Sequence, residues 1–126
     1  MTKPTQQWAK LSSYHVRSAQ VLHESGQHLD AVFHFQQAIE LMLKALIQQQ
    51  GTKPSKTHDL LELAACLTKP IPAEQVRILD ELHDISVPLR YPDDLDEALE
   101  SYTYDEVKRI AHDTEELLQW LKQKLT

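Results

Sequence analysis

The chain has 126 residues, 41% of them hydrophobic and 25% charged, which is ordinary for one globular domain. The 19 acidic and 13 basic side chains give a formal net charge of −6, which argues against avid nonspecific binding to nucleic acid, because such binding neutralises phosphates with Lys and Arg. A single cysteine, Cys66, excludes an intrachain disulfide, and no apolar run is long enough to span a bilayer. We therefore expect one cytoplasmic domain over residues 1–126, without membrane association.

The polar residues 1–7 predict a flexible N-terminus before a first helix from Trp8 to about Ser25. Gly26 then ends that helix, and a very short connection predicts an antiparallel helical hairpin with the next one. This second helix, from His28 to Gln50, is the longest apolar-periodic run and ends at Gly51. Its apolar side chains recur at steps of three and four residues, and they form a broad face: Val32, Phe35, Ile39, Met42 and Leu46, widened by Ala31, Ala38, Leu43, Ala45 and Ile47. A face this broad predicts that the helix lies at the centre of a bundle.

A third, shorter helix is predicted from an N-cap at Thr57 to about Leu67, with Cys66 on its core face. The fourth begins near Ala73 and stops or kinks near Ile85, because Pro88 lacks the N–H that a helix needs. An acidic connection, RYPDDLDEALESYT, leads to a last helix from Tyr104 to Leu125. No window alternates with period two over strand length, so the predicted fold is all-α: an antiparallel bundle of about five helices, four long and one short.

Three segments carry a resemblance to a known family: FHFQQAIELMLKALI in the second helix, THDLLEL at the third, and RYPDD before the last helix. Their combination resembles a HEPN domain, a name that stands for higher eukaryotes and prokaryotes nucleotide-binding. The resemblance covers nearly the whole chain and implies a helical bundle that commonly dimerises. It also implies that small bacterial members partner a minimal nucleotidyltransferase or form half of a toxin–antitoxin pair. Other members are metal-independent ribonucleases, with an Arg followed after four to six residues by a His.

The chain departs from that ribonuclease motif. Leu95, Asp96 and Glu97 stand where the His after Arg90 belongs. A metal-free ribonuclease needs groups that take and give protons near neutral pH, which His does well. We therefore expect a noncatalytic binding protein that associates with a nucleotidyltransferase or binds a nucleotide. Two alternatives remain open. One is a ribonuclease toxin with a degenerate site that pairs Arg90 with Asp93, Asp94 or Tyr91, and the other is a purely structural interaction module.

Arg90, Tyr91 and Asp93 are the sharpest local candidates for ligand binding. In a functional interpretation Arg90 binds a phosphate as a planar fork and Tyr91 stacks on a base. In a structural interpretation Arg90 pairs with a carboxylate such as Glu40, and Tyr91 packs under the turn that the following proline forces.

Two further pairs of candidates lie on the second and third helices. Glu40 and Lys44 are one turn apart, which is typical of a surface ion pair, and the family resemblance alone also places them at the mouth of a ligand groove. His58 and Asp59 open the third helix, where they either attract an anion or simply cap the helix. The histidine spacings match no zinc motif, so we assign no metal and no cofactor. A homodimer is expected, because five helices of this length leave apolar rows uncovered, notably around Leu89 to Tyr91.

Overall fold

The structure is a computed structural model, and it describes residues 1–83, 85 and 91–126. Within these residues the chain forms helices and no strand, as predicted. The α-helices are α1 (Lys3–Glu24), α2 (His28–Gln49), α3 (Leu60–Ala65), α4 (Ala73–Glu81), α5 (Leu95–Ser101) and α6 (Tyr104–Lys122), and a 3-10 turn, Pro92–Asp94, precedes α5. None of the described helices combines the length and the apolar character that crossing a bilayer requires.

Helices α1 and α2 form the predicted antiparallel hairpin. Gly26 makes the turn possible, because its φ of +83° is a left-handed conformation that glycine adopts without strain. Along the hairpin, the Ser12 hydroxyl donates to the backbone oxygen of Ala38 (2.6 Å), and the Nδ1 atoms of His15 and His34 lie 2.8 Å apart. As the residue number rises on α1, the number of its partner falls on α2, so the two helices run in opposite directions.

Helix α2 is the centre of the bundle, as its broad apolar face predicts. Its apolar side chains from Leu29 to Ile47 are buried apart from Phe33, which is partly exposed. The helix packs against α1, α3, α5 and α6. Two hydrogen bonds show that α6 runs parallel to α2. His23, beside the start of α2, donates to the backbone oxygen of Tyr104 at the start of α6 (3.0 Å). Gln49, at the end of α2, donates to the backbone oxygen of Lys124 just after the end of α6 (2.8 Å).

Several predicted boundaries were wrong. The first helix begins at Lys3, not Trp8, since the Thr2 side chain accepts from the backbone N–H of Thr5, whose own side chain is 1% exposed. Much of the expected flexible segment 1–7 is therefore helical. The acidic connection also contains a helix, α5, which is held to the bundle by the buried Ala98.

The third and fourth helices are shorter than expected. The N-cap of α3 is Asp59, not Thr57, and Cys66 follows the helix as an exposed residue rather than lying in the core. Helix α4 ends at Glu81, before the predicted stop near Ile85. Pro88, which motivated that prediction, lies outside the described residues, as does Leu89.

Candidate functional site

Glu40 and Lys44 form an ion pair inside the protein. The Lys44 ammonium donates to the Glu40 carboxylate over 3.2 Å, and their side chains are only 7% and 3% exposed, respectively. The expectation of an ordinary surface pair was wrong, because both side chains are buried, with Trp8 of α1 against Lys44 and His58 against Glu40. An apolar pair of similar volume is often equally stabilising or more so, since two charges lose their hydration on burial. The pair is therefore poorly explained by stability alone.

His58 brings a third group to this carboxylate. Its Nδ1–H donates to both Glu40 oxygens, at 3.0 and 3.2 Å. The His58 side chain is 78% exposed, whereas that of Glu40 is 3% exposed. A buried carboxylate thus fixes the tautomer and the orientation of a solvent-exposed imidazole, whose Nε2 has no partner within the described part of the chain. This nitrogen can accept a hydrogen bond, or donate one when the ring is protonated.

Two side chains of α1 complete the surroundings of the ion pair. The Lys44 ammonium lies 5.8 Å from the centre of the Trp8 ring, a cation–π contact. Burial lowers the pKa of His15, and the neighbouring His34 lowers it further, while the Glu40 carboxylate acts in the opposite direction. No sequence motif points to Trp8 or His15, because they reach α2 only through the register of the hairpin.

Asp59 has a different role from its neighbour His58. Its carboxylate accepts from the backbone N–H groups of Leu61 (3.0 Å) and Glu62 (3.1 Å), which satisfies two donors at the start of α3. It also lies 3.7 Å from Nδ1 of His83, which follows α4. The capping interpretation is thus confirmed for Asp59, whereas His58 faces Glu40.

Two of the remaining candidates, Tyr91 and Asp93, lie at the turn before α5. Tyr91 is 59% exposed and Asp93 is also exposed, next to the 3-10 turn. The described contacts do not join either residue to Glu40, Lys44 or His58. Arg90 lies outside the described residues, so its predicted contact with a phosphate or with Glu40 stays a prediction.

A second charged cluster, whose members are not among the predicted site residues, surrounds Arg109 on α6. Its guanidinium donates to Glu106 (2.6 Å), to Asp113 (2.7 Å) and to Glu81 of α4. The hydrogen bond from Arg109 lowers the pKa of Glu106, and the hydrogen bonds to Glu106 and Glu81 raise the pKa of Arg109. The three- and four-residue spacings of Glu106 and Asp113 from Arg109 indicate these two ion pairs in the sequence, whereas nothing in the sequence indicates the contact with Glu81.

Three side chains next to this cluster have a geometry that could suit a metal ion. Ligand atoms of His112, Asp113 and Glu116 lie within 4.8 Å of one another. His112 already pairs with Glu116 (3.2 Å), and Asp113 pairs with Arg109. Because these carboxylates are occupied and lie at the surface, we assign no metal to them.

Comparisons with known proteins agree with this architecture. A family model described as the HEPN domain matches residues 5–124. The crystal structure of TT1696 from Thermus thermophilus superposes with a TM-score of 0.86 at 27% identity, covering 98% of this chain and 100% of that one. ST0689, described as an archaeal HEPN homologue, superposes with a TM-score of 0.78 at 27% identity, covering 99% of this chain and 100% of that one. No curated protein matched. The chain belongs to the HEPN domain family.

Proposed function

We propose that the protein is a noncatalytic HEPN partner that associates with a minimal nucleotidyltransferase or binds a nucleotide, as part of a toxin–antitoxin pair. The observation that carries the proposal is the exposed His58 imidazole, held on a buried carboxylate that also neutralises Lys44. A buried ion pair often adds little net stability, and we infer that this one serves to position His58. This arrangement supports a binding role for the corner formed by α2 and the start of α3.

The charges near His58 favour an anionic ligand such as a nucleotide phosphate. Lys53 and Lys56 are exposed in the same loop between α2 and α3. The protonated His58 ring would donate from Nε2 to a phosphate oxygen, and the two lysines would add attraction. In this proposal Arg90 binds phosphate as well, and the exposed Tyr91 offers a face for a base.

Binding of ATP and of short oligoadenylate tests the nucleotide hypothesis. We expect His58→Ala to weaken binding roughly tenfold, because the substitution removes one charge-assisted hydrogen bond. His112→Ala is the matched control, since it removes an exposed histidine from α6. Titration calorimetry near pH 6 gives the dissociation constants. Equal affinities of the wild type and the His58→Ala variant would remove His58 from the site, and unchanged binding by Arg90→Ala would do the same for Arg90.

The same geometry favours one second candidate, a ribonuclease with a degenerate motif. A carboxylate that orients a histidine is the arrangement of a general base, and here Nε2 would take the 2′-OH proton. Incubating RNA with wild-type protein and with the Arg90→Ala and His58→Ala variants separates the two functions. Cleavage that both variants lose would support the enzyme, and intact RNA at high protein concentration would retire it.

The partner role includes self-association. Three apolar side chains are exposed around the start of α5, at 59% for Tyr91, 37% for Leu95 and 53% for Leu99. We propose that a homodimer covers them. Sedimentation should give a dimer at micromolar concentration, and Leu99→Ser should shift it toward monomer. Co-purification with a minimal nucleotidyltransferase encoded beside this protein would distinguish a specific partner from a purely structural module.

A further inference from the structure

The outer face of α1 carries an uncovered apolar row. Leu11, Tyr14 and Val21 are 45%, 61% and 65% exposed. With Pro4, Gln7 and Ser18 they recur at alternating steps of three and four residues, the spacing of a heptad seam. The row from Pro4 to Val21 is about 25 Å long at the rise of an α-helix. None of these six residues is among those of the His58 corner or the apolar side chains around α5.

Two shallow depressions follow this row. One, of about 490 Å³, is lined by α1 alone and runs from Pro4 to Tyr14. The other, of about 580 Å³, runs from Tyr14 to Leu22 and includes His34 of α2. Both are more apolar than polar and they share Tyr14, so together they form a strip that follows the row along most of α1, as a groove for an amphipathic helix would.

One edge of the strip is basic. Lys3, Lys10 and Arg17 follow one another at intervals of seven residues, and none makes an ion pair with another described residue. The Arg17 guanidinium lies 5.6 Å from the centre of the Tyr14 ring, so this edge adjoins the apolar row. Helix α1 has one acidic residue, Glu24, against these three basic ones, which leaves eighteen acidic and ten basic residues for the rest of the chain. The strip is thus a basic surface on an acidic protein.

We propose that this strip docks an acidic amphipathic helix of a partner protein, with leucine-like residues at heptad spacing and carboxylates along one edge. The basic edge and the length of the strip favour this occupant over a second copy of the chain. Two α1 helices paired antiparallel about their midpoints would bring Lys10 of each copy close to Arg17 of the other, which is repulsive. The acidic α5 of a second copy has only 7 residues and would cover less than half of the strip. The inference rests on the partner role proposed above and names the surface that performs it.

A designed peptide tests the strip directly. The probe is a labelled helix of about three heptads with Leu at the seam and Glu along the edges, and its control has Lys in place of Glu. We expect the acidic peptide to bind and the basic peptide not to bind. The double variant K10E/R17E should reverse this preference, with roughly tenfold weaker binding of the acidic peptide. The variant Tyr14→Ser should weaken it similarly, and added salt should weaken it further.

Controls keep the test independent of the His58 site. All variants substitute exposed side chains, and unchanged circular dichroism and melting temperature would show that they fold. The variant His58→Ala should bind the acidic peptide like the wild type, even if it loses nucleotide. Equal binding of the two peptides, or none of the acidic one, would overturn the proposal. A wild-type dimer that Tyr14→Ser dissociates would also overturn it, because a second copy would then cover the strip.

Discussion

Two charged clusters of this protein use the same helical spacing in opposite environments. Glu40 and Lys44 on α2 are buried, and the exposed His58 ring reaches inward to the same Glu40 carboxylate. Arg109 and Asp113 on α6 have the same four-residue spacing, but their side chains are 43% and 39% exposed. The spacing of an acid and a base therefore predicts that they can meet, and says nothing about the dielectric in which they meet. That environment decides how strongly the fold depends on each pair.

The largest effect is expected from breaking the buried pair on one side only. Lys44→Met leaves the Glu40 carboxylate buried without its ammonium partner. We expect the free energy of unfolding to fall by roughly 3–5 kcal/mol. Chemical denaturation followed by circular dichroism measures the loss.

The double variant Glu40→Leu with Lys44→Met is the matched control. It removes both charges while it keeps a similar volume, so it should be more stable than Lys44→Met alone. A loss below about 1 kcal/mol in the single variant would mean that the pair behaves like a surface pair. The fold would then depend on the buried pair no more strongly than on an exposed pair such as Arg109 and Asp113.

A smaller effect is expected at the exposed cluster. Arg109→Met removes all three contacts to Glu81, Glu106 and Asp113. Because solvent screens these charges, we expect a loss of about 1 kcal/mol or less at neutral pH. Denaturation under the same conditions as for Lys44→Met gives a direct ratio of the two effects.

The pH dependence sharpens this second prediction. The pKa of Glu106 is lowered in the folded protein, so its contribution to stability is present above the ordinary value of 4.5 and is lost as the pH falls through the lowered folded value. The wild type and Arg109→Met should therefore converge in stability under acid. A difference that grows as the pH falls would contradict the assigned cause.

The smallest effect is expected from His15, which lies beside the buried cluster, and it should appear as a change of stability with pH. Its folded pKa is lowered, so the unfolded chain takes up the proton more readily, and stability falls as the pH drops below the ordinary value of 6.5. His15→Gln should make the melting temperature less sensitive to pH between about 7.5 and 5.5 than it is in the wild type. His34→Gln should flatten the slope in part, because His34 is the second cause of the shift. An unchanged slope in His15→Gln would show that other groups dominate.

The central position of α2 was predictable because a helix that is buried on several sides needs a high proportion of apolar residues. Apolar residues occupy most of that helix, and Gly26 and Gly51, both with positive φ, mark its two ends. The start of α1 and the existence of α5 were less predictable, since both segments are polar and each is held by few buried side chains, Thr5 in one and Ala98 in the other. Because these segments are mostly polar, the sequence did not indicate the tertiary contacts that stabilise them as helices.

The sequence predicted which residues belong to the candidate site, but not how they are arranged. The sequence named Glu40, Lys44 and His58, but it placed the first two on the surface and paired His58 with Asp59. Neighbouring residues at the start of a short helix point in different directions, so Asp59 caps α3 while His58 reaches α2.

The sequence by itself determined an all-helical chain, its long hairpin and its most buried helix, because hydrophobic periodicity and glycine positions act locally. Only the tertiary structure decided that an acid and a base on α2 are shielded from water and that an exposed histidine donates to that acid. It also decided that α1 turns an apolar row with a basic edge outward. Whether a side chain is buried depends on the residues that pack against it, and these are distant in the chain.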